Sequence, residues 1–172
     1  YARMTGKPAA TLLHLGPGLA NGIANLHNAR RARSPMINVV GNHPNFHTGY
    51  DAPLTSDIVT LARNYSSWIK ADSTSTTLAQ DGANAFTASL RQTPSSAGQI
   101  ATLIMGADAA WEQGTGTVRP NAIPQRAKVD NFNIETAAEA FSKKGNVMLL
   151  VEHHATTPEA LVMASKIAAH TG

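Results

Sequence analysis

The residues that come closest to chemistry are His14-Leu15-Gly16-Pro17-Gly18-Leu19-Ala20-Asn21. An apolar run ends there, a glycine-rich turn follows, and a helix is expected to begin. Unsatisfied N–H groups at a helix start attract anions and carbonyl-type acceptors. In open α/β sheets, ligands bind beyond the carboxyl ends of the strands. His14 stands at the last position of the run, facing that crevice. An imidazole there can donate to a bound carbonyl compound or exchange a proton with it. It can equally be a satisfied core histidine. No Lys-Ser/Thr pair follows the glycines, and Asn21 occupies the third glycine position of the dinucleotide fingerprint. Neither phosphate-loop pattern is matched, and a turn without a ligand stays open as the plainer reading.

Other candidates are weaker. His43, His47, Asp51 and Asp57 share one polar stretch. Imidazole and carboxylate suit zinc, but the spacing fits no standard motif. His153-His154 follows an apolar run and reads as a solvent-facing loop. Ser34, Ser56 and Ser66 have no nucleophile-elbow context. Trp68 and Trp111 are expected to anchor packing. No residue is assigned to a metal.

Those residues must be held by a fold, and composition limits which. The chain has 172 residues, 42% apolar and 15% charged, with 14 Lys+Arg against 11 Asp+Glu. That suits one domain and the start of a second. Low net charge and frequent apolar runs argue against disorder. No run approaches the roughly 20 apolar residues of a membrane helix. Absence of Cys excludes disulfides and thiolate chemistry. The one basic cluster, Arg30, Arg31 and Arg33, has no aromatic beside it. It reads as a helix end facing carbonyls, not a nucleic-acid footprint. The first residue is Tyr1, and residues 1–4 carry no signal-peptide pattern. The chain is expected to be a piece of a longer protein.

Apolar runs at 9–15, 36–40 and 99–105 read as strands buried on both faces, as in a parallel sheet. Gly16-Pro17-Gly18 is expected to force a turn before a helix over 19–31, whose apolar positions are Leu19, Ile23 and Leu26. Strand, helix and strand in succession imply a parallel crossover. A polar loop covers 42–53. A helix capped by Thr55 or Ser56 is expected over 56–63, a short strand over 65–71, and a helix over 78–92. Residues 114–130 lack periodicity and read as a linker. A helix (134–143), a strand (147–151) and a helix (158–169) stopped by Gly172 look like the opening of a second α/β domain.

The order Tyr1-Ala2-Arg3-Met4-Thr5-Gly6-Lys7-Pro8, then Gly16-Pro17-Gly18 with Asn21, then Ser34-Pro35 before Gly41 carries a resemblance. It resembles the pyrimidine-binding, N-terminal domain of thiamine-diphosphate-dependent enzymes, in the acetolactate synthase large-subunit and benzoylformate decarboxylase group. The resemblance implies an α/β fold with a parallel sheet flanked by helices. It implies a partial pyrimidine-binding domain over 1–112, a linker over 113–130 and the start of a central domain over 131–172.

It further implies that the parent decarboxylates a 2-oxo acid, ligates the product, or both, as a transferase, lyase or carboligase. Thiamine diphosphate serves as electron sink. Magnesium is held by a domain outside this chain, and a flavin (FAD) is bound in the true synthases. His14 matches a histidine near substrate and cofactor. Gly16, Gly18 and Asn21 match the cofactor-side turn, and Pro44 matches a proline lining the substrate channel. The activating glutamate is expected before Tyr1, so the piece alone is expected to be catalytically incomplete. Gly41-Asn42 and Ala52-Pro53-Leu54-Thr55 depart from the synthases and lie nearer the decarboxylase. The implied partners are a 2-oxo acid and further subunits of a homodimer or homotetramer, with neither nucleic acid nor membrane, in the cytoplasm. The alternative is a non-catalytic binding or regulatory module derived from the same family.

Overall fold

Four parallel strands position everything else: β1 (Ala9–His14), β2 (Met36–Asn42), β3 (Trp68–Ser73) and β4 (Ile100–Gly106), in the order β1-β2-β4-β3. The structure is a computed structural model that describes residues 1–91, 98–123, 125, 128–143 and 145–171. The helices are α1 (Ala2–Thr5), α2 (Leu15–Arg31), α3 (Ile58–Arg63), α4 (Leu78–Ser89), α5 (Ala107–Trp111), α6 (Asn131–Ser142) and α7 (Pro158–Thr171). The expected helix end at Gln92 and the stop at Gly172 lie outside the described residues, as do Pro124, Arg126 and Ala127 of the linker.

The parallel α/β architecture expected from the apolar runs is present. Residues 1–125 and 126–172 form two compact units.

The two faces of the sheet are covered differently. Leu13, Val40, Ile100, Ile104 and Ile69 lie on one face, against Leu19 and Leu26 of α2 and Ile58 and Ala62 of α3. Leu19, Leu26, Val40, Ile58, Ala62, Ile100 and Ile104 are the core cluster. Successive residues of a strand point to opposite faces, so Leu12, Val39 and Leu103, level with one another in the register, share the other face. There α4 packs on β3 and β4, and burial falls off toward β1. Leu103 is 4% exposed and Leu12 is 75% exposed, with Val39 between them.

The expectation that the first strand is buried on both faces is therefore corrected. β1 is an edge strand, and Ala10, Leu12 and His14 are exposed.

A chain of polar side chains crosses the core beneath α2. Thr11 Oγ1 donates to Asn38 Oδ1 at 2.9 Å, and Asn38 Nδ2 donates to Thr102 Oγ1 at 3.1 Å. Thr102 Oγ1 also meets Ser66 Oγ at 2.6 Å, just ahead of β3. Asn38 and Thr102 are fully buried. Such groups are tolerated inside only when hydrogen-bonded.

Three further expectations shift. The reversal after β1 is made at Leu15, whose φ is 57°, so Gly16-Pro17-Gly18 lies inside the first turn of α2. Pro17 is acceptable there, because a first-turn residue needs no intrahelical N–H bond. The cap of α3 is Asp57 in place of Thr55 or Ser56; its side chain accepts from the N–H of Thr60 at 2.9 Å. The third strand runs over 68–73. At the end of α2, Arg30 does meet a carbonyl, that of Asn64 beyond α3, at 2.5 Å.

In the second unit, Asp130 caps α6 by accepting from the N–H of Asn133 at 2.8 Å. A 3-10 turn (His153–Thr156) precedes α7. The strand expected over 147–151 does not form. A strand requires a neighbour for its backbone groups, and all four described strands belong to the first unit. Met148 and Leu150 are exposed.

Asn38→Ala is expected to cost about 2–4 kcal/mol, because it opens a cavity and strips Thr11 and Thr102 of a buried partner. Urea unfolding monitored by circular dichroism measures it. A loss below about 1 kcal/mol, within what a surface change produces, would show that the polar chain does not hold the core.

Candidate functional site

The carboxyl ends of β1, β2 and β4 form one edge, because His14, Gly41 and Met105 are level in the register. His14 closes β1 with its side chain exposed, and it makes no capping hydrogen bond to α2. The first N–H groups of α2 thus have no side-chain acceptor from their cap residue. Leu15, next in the chain, is 3% exposed and held at φ 57°. A left-handed backbone is unfavourable for a residue with a Cβ and persists where surroundings enforce it.

The loop after β2 lies against this corner. A Cβ on Gly16 would run into Ser56 Oγ and Cβ. Gly16 is therefore required by the close approach of the 55–57 segment. Gly18 differs: an added Cβ would meet His14 Cβ at 3.4 Å, an acceptable contact. Asn21 is exposed one turn further along α2.

Within the loop, Pro44 is half-buried and leads a 3-10 turn (Asn45–Tyr50). This turn gathers aromatic rings. The centroids of His43 and His47 are 5.5 Å apart, those of His47 and Tyr50 5.4 Å, and those of Phe46 and His47 6.4 Å. Phe46 is 71% exposed and Tyr50 76% exposed. Asp108, at the start of α5, accepts from the N–H of Asn45 at 3.2 Å and ties the turn to the end of β4. His43 Nε2, Thr55 Oγ1 and Asp108 Oδ1 are buried without a hydrogen-bond partner among the described residues. All three lie in the segments that leave β2 and β4. Asp57, at the loop's far end, has its carboxyl held below the usual range by the Thr60 hydroxyl and then the Thr60 N–H.

Of the residues singled out from sequence, His14, Gly16, Gly18 and Asn21 share the β1–α2 corner, and Pro44 heads the neighbouring loop. His43 and His47 are close together, but no group of three metal-ligating side chains occurs among the described residues. The side chains of His153 and His154 lie outside the described residues. Trp68 is half-buried on β3, whereas Trp111 is 69% exposed. Its role as a packing anchor is corrected: it ends a five-residue helix and is mostly exposed.

Sequence reasoning did not single out Phe46, Tyr50 or Asp108. The signal for the first two was present in the spacing of Phe46, His47 and Tyr50, read only as loop composition. For Asp108 there was none, since its partner is 63 residues away.

The family described as thiamine pyrophosphate enzyme, N-terminal TPP binding domain, matches residues 1–65. A protein of Mycobacterium tuberculosis provisionally named acetolactate synthase large subunit IlvX is 42% identical over all 172 residues. The chain spans 32% of that protein's length. The mitochondrial acetolactate synthase catalytic subunit of Saccharomyces cerevisiae is 34% identical over 68 residues, 40% of this chain and 10% of its own.

Among solved structures, an enzyme from Mycobacterium smegmatis provisionally described as thiamin diphosphate-dependent superposes with a TM-score of 0.71. It is 22% identical, over 82% of this chain and 27% of its own. The 4-hydroxybenzoylformate decarboxylase of Rhodococcus jostii superposes with the same TM-score at 17% identity, over 83% of this chain and 27% of its own. At such identities these two likenesses establish the fold.

Gly16→Ala is expected to destabilise the fold by about 1–3 kcal/mol through overpacking against Ser56. Adding Ser56→Gly should recover most of the loss, giving a coupling of at least about 1 kcal/mol in a double-mutant cycle. Additive effects in thermal unfolding would show that the two segments are not in contact.

Proposed function

We propose, from the premise that the chain belongs through its residues 1–65 to the thiamine-diphosphate-dependent enzymes, that it is the pyrimidine-side part of an acetolactate synthase-like enzyme. The parent decarboxylates a 2-oxo acid, ligates the product to a second carbonyl compound, or both. In this reading residues 1–112 are the pyrimidine-binding domain, 113–130 a linker and 131–172 the start of the central domain.

The observation that carries the reading is the corner where β1 meets α2. His14 is exposed there, the start of α2 lacks a side-chain cap, and Asn21 is exposed on the same helix. That donor set fits a neutral heteroaromatic ring with amino and ring-nitrogen groups. Gly18 leaves the approach open, and Asn21 offers both a donor and an acceptor. When bound, thiamine diphosphate supplies the electron sink for loss of carbon dioxide. The chain's own residues position and protonate. Asn21, Gly16 and Gly18 form the wall beside the ring, and His14 exchanges a proton at the substrate's carbonyl oxygen. Pro44 lines the approach of the substrate.

Magnesium is assigned to another domain of the parent, and no residue of this chain is assigned to a flavin. The exposed face of β1 supports an assembly of two or four identical subunits, with the site completed by a neighbour. No helix among the described residues is long and apolar enough to cross a membrane, and we place the parent in the cytoplasm. No role with nucleic acid is assigned.

In the full-length protein, His14→Ala is expected to lower turnover of an aromatic 2-oxo acid about 10²-fold, the low end for a general acid–base group. Unchanged turnover would remove His14 from the mechanism. Asn21→Leu should weaken thiamine diphosphate binding in a fluorescence titration, and equal affinity would show the site to be misplaced. A full-length protein that binds the cofactor but converts no 2-oxo acid would favour the non-catalytic module.

A further inference from the structure

We propose that the exits of β2 and β4 bind an alkali-metal cation, with Asp108 Oδ1, Asn45 Oδ1 and the His43 carbonyl oxygen as its protein ligands. The ion is not the magnesium assigned to another domain, and the site stands whatever reaction the parent performs.

The sheet and one hydrogen bond bring these oxygens together. Asn42 and Gly106 are level in the register, so His43 leaves β2 directly beside Gly106. Asp108 follows two residues after Gly106, and its Oδ2 accepts from the N–H of Asn45 at 3.2 Å. A Cβ on Gly106 would run into Asp108 Oδ1, and would meet Asn45 Oδ1 at 3.2 Å and the His43 carbonyl oxygen at 3.3 Å. All three oxygens thus surround one point. The backbone of Gly106, at φ −64° and ψ 145°, suits any residue. Its glycine is explained by the approach of the oxygens, not by conformation.

Acceptor oxygens gathered in this way repel one another unless something positive lies among them. Asp108 Oδ1 is buried and has no donor among the described residues, a cost that a cation removes. His43 Nε2 does not serve, being itself buried and unpaired. A carboxylate, an amide oxygen and a backbone carbonyl are the ligands that hard cations take, with water completing the shell. Softer transition metals favour nitrogen and sulfur.

The charge count then selects the ion. Asp108 supplies the single negative charge of the set, so a monovalent cation leaves the site neutral. A divalent cation would leave an unbalanced positive charge in a place largely out of water, which is costly.

The test uses the full-length protein, with magnesium and thiamine diphosphate held constant. Thermal unfolding is compared in potassium, sodium and choline chloride at equal ionic strength. Potassium or sodium should raise Tm by about 2 °C or more over choline, as an ion bound only to the folded state does. Asp108→Asn should abolish that rise. Asn45→Asp adds a second carboxylate and should transfer the preference to calcium, bound at least about tenfold more tightly than by the wild type in a calorimetric titration. Thallium(I), standing in for potassium in crystals of the wild type, should give an anomalous peak against the three oxygens. That peak and Asn45→Asp decide the matter even where Asp108→Asn does not fold.

Equal Tm in alkali and choline salts, or a rise that Asp108→Asn keeps, would overturn the site. So would an Asn45→Asp protein destabilised alike in every salt and no better at binding calcium. The Asn45 amide would then donate its own N–H to Asp108, and the three groups would form an internal hydrogen-bond network with no ion.

Discussion

The register of the sheet is the constraint on which the rest depends, and a buried polar chain holds it. In a parallel sheet a slip of one residue sends every side chain to the opposite face. Apolar residues alone resist that slip weakly here, because β2 and β4 carry apolar side chains on both faces. Asn38 is different. It finds Thr11 on one neighbour and Thr102 on the other only when all three are level. Any other register buries an amide without partners, which costs more than a misplaced methyl group. The same register sets His14, Gly41 and Met105 level, and so decides which residues reach the carboxyl edge together.

The second determinant is the unequal cover of the two faces. Beneath α2 and α3 the core is closed, with Leu19 and Val40 fully buried. On the α4 side, cover thins from β4 to β1, so Leu12 and His14 face outward from the same face of the edge strand. The exposure of His14 therefore has a structural cause. It lies on the uncovered face at the end of an edge strand. Any chemistry proposed for it uses an accessibility that the sheet itself dictates.

How much of this was legible in the sequence follows from which interactions are local. The apolar runs gave three strands and the parallel class, because burial between helices leaves a signature in every residue of the run. Helical spacing of Leu19 and Leu26 gave α2. What failed was set by partners distant in sequence. Whether β1 has two covered faces depends on how far α4 reaches. Residues 147–151 read as a strand by composition, yet have no partner strand to satisfy their backbone. The family resemblance located His14, Gly16, Gly18 and Asn21 together at one corner. It could not reveal the aromatic turn, since the rings of His43, His47 and Tyr50 meet in a 3-10 turn whose first residue, Asn45, is held by Asp108 from 63 residues away.

The corner also separates two kinds of motif residue. Gly16 is fixed by Ser56, a contact internal to the fold. Its glycine is explained without any ligand, and a binding role cannot be argued from its residue type. Leu15 makes the same point from the other side: a buried leucine at φ 57° is a poor choice for a bare turn. It is held because its side chain anchors the start of α2 in the core while its backbone turns the chain out of β1. The strain sits directly between His14 and the helix start, so the energy of packing is spent in aiming the pair. Gly18 and Asn21 have no such internal reason to be what they are. At this corner the proposed binding role therefore rests on Gly18 and Asn21, whose residue types packing leaves unexplained.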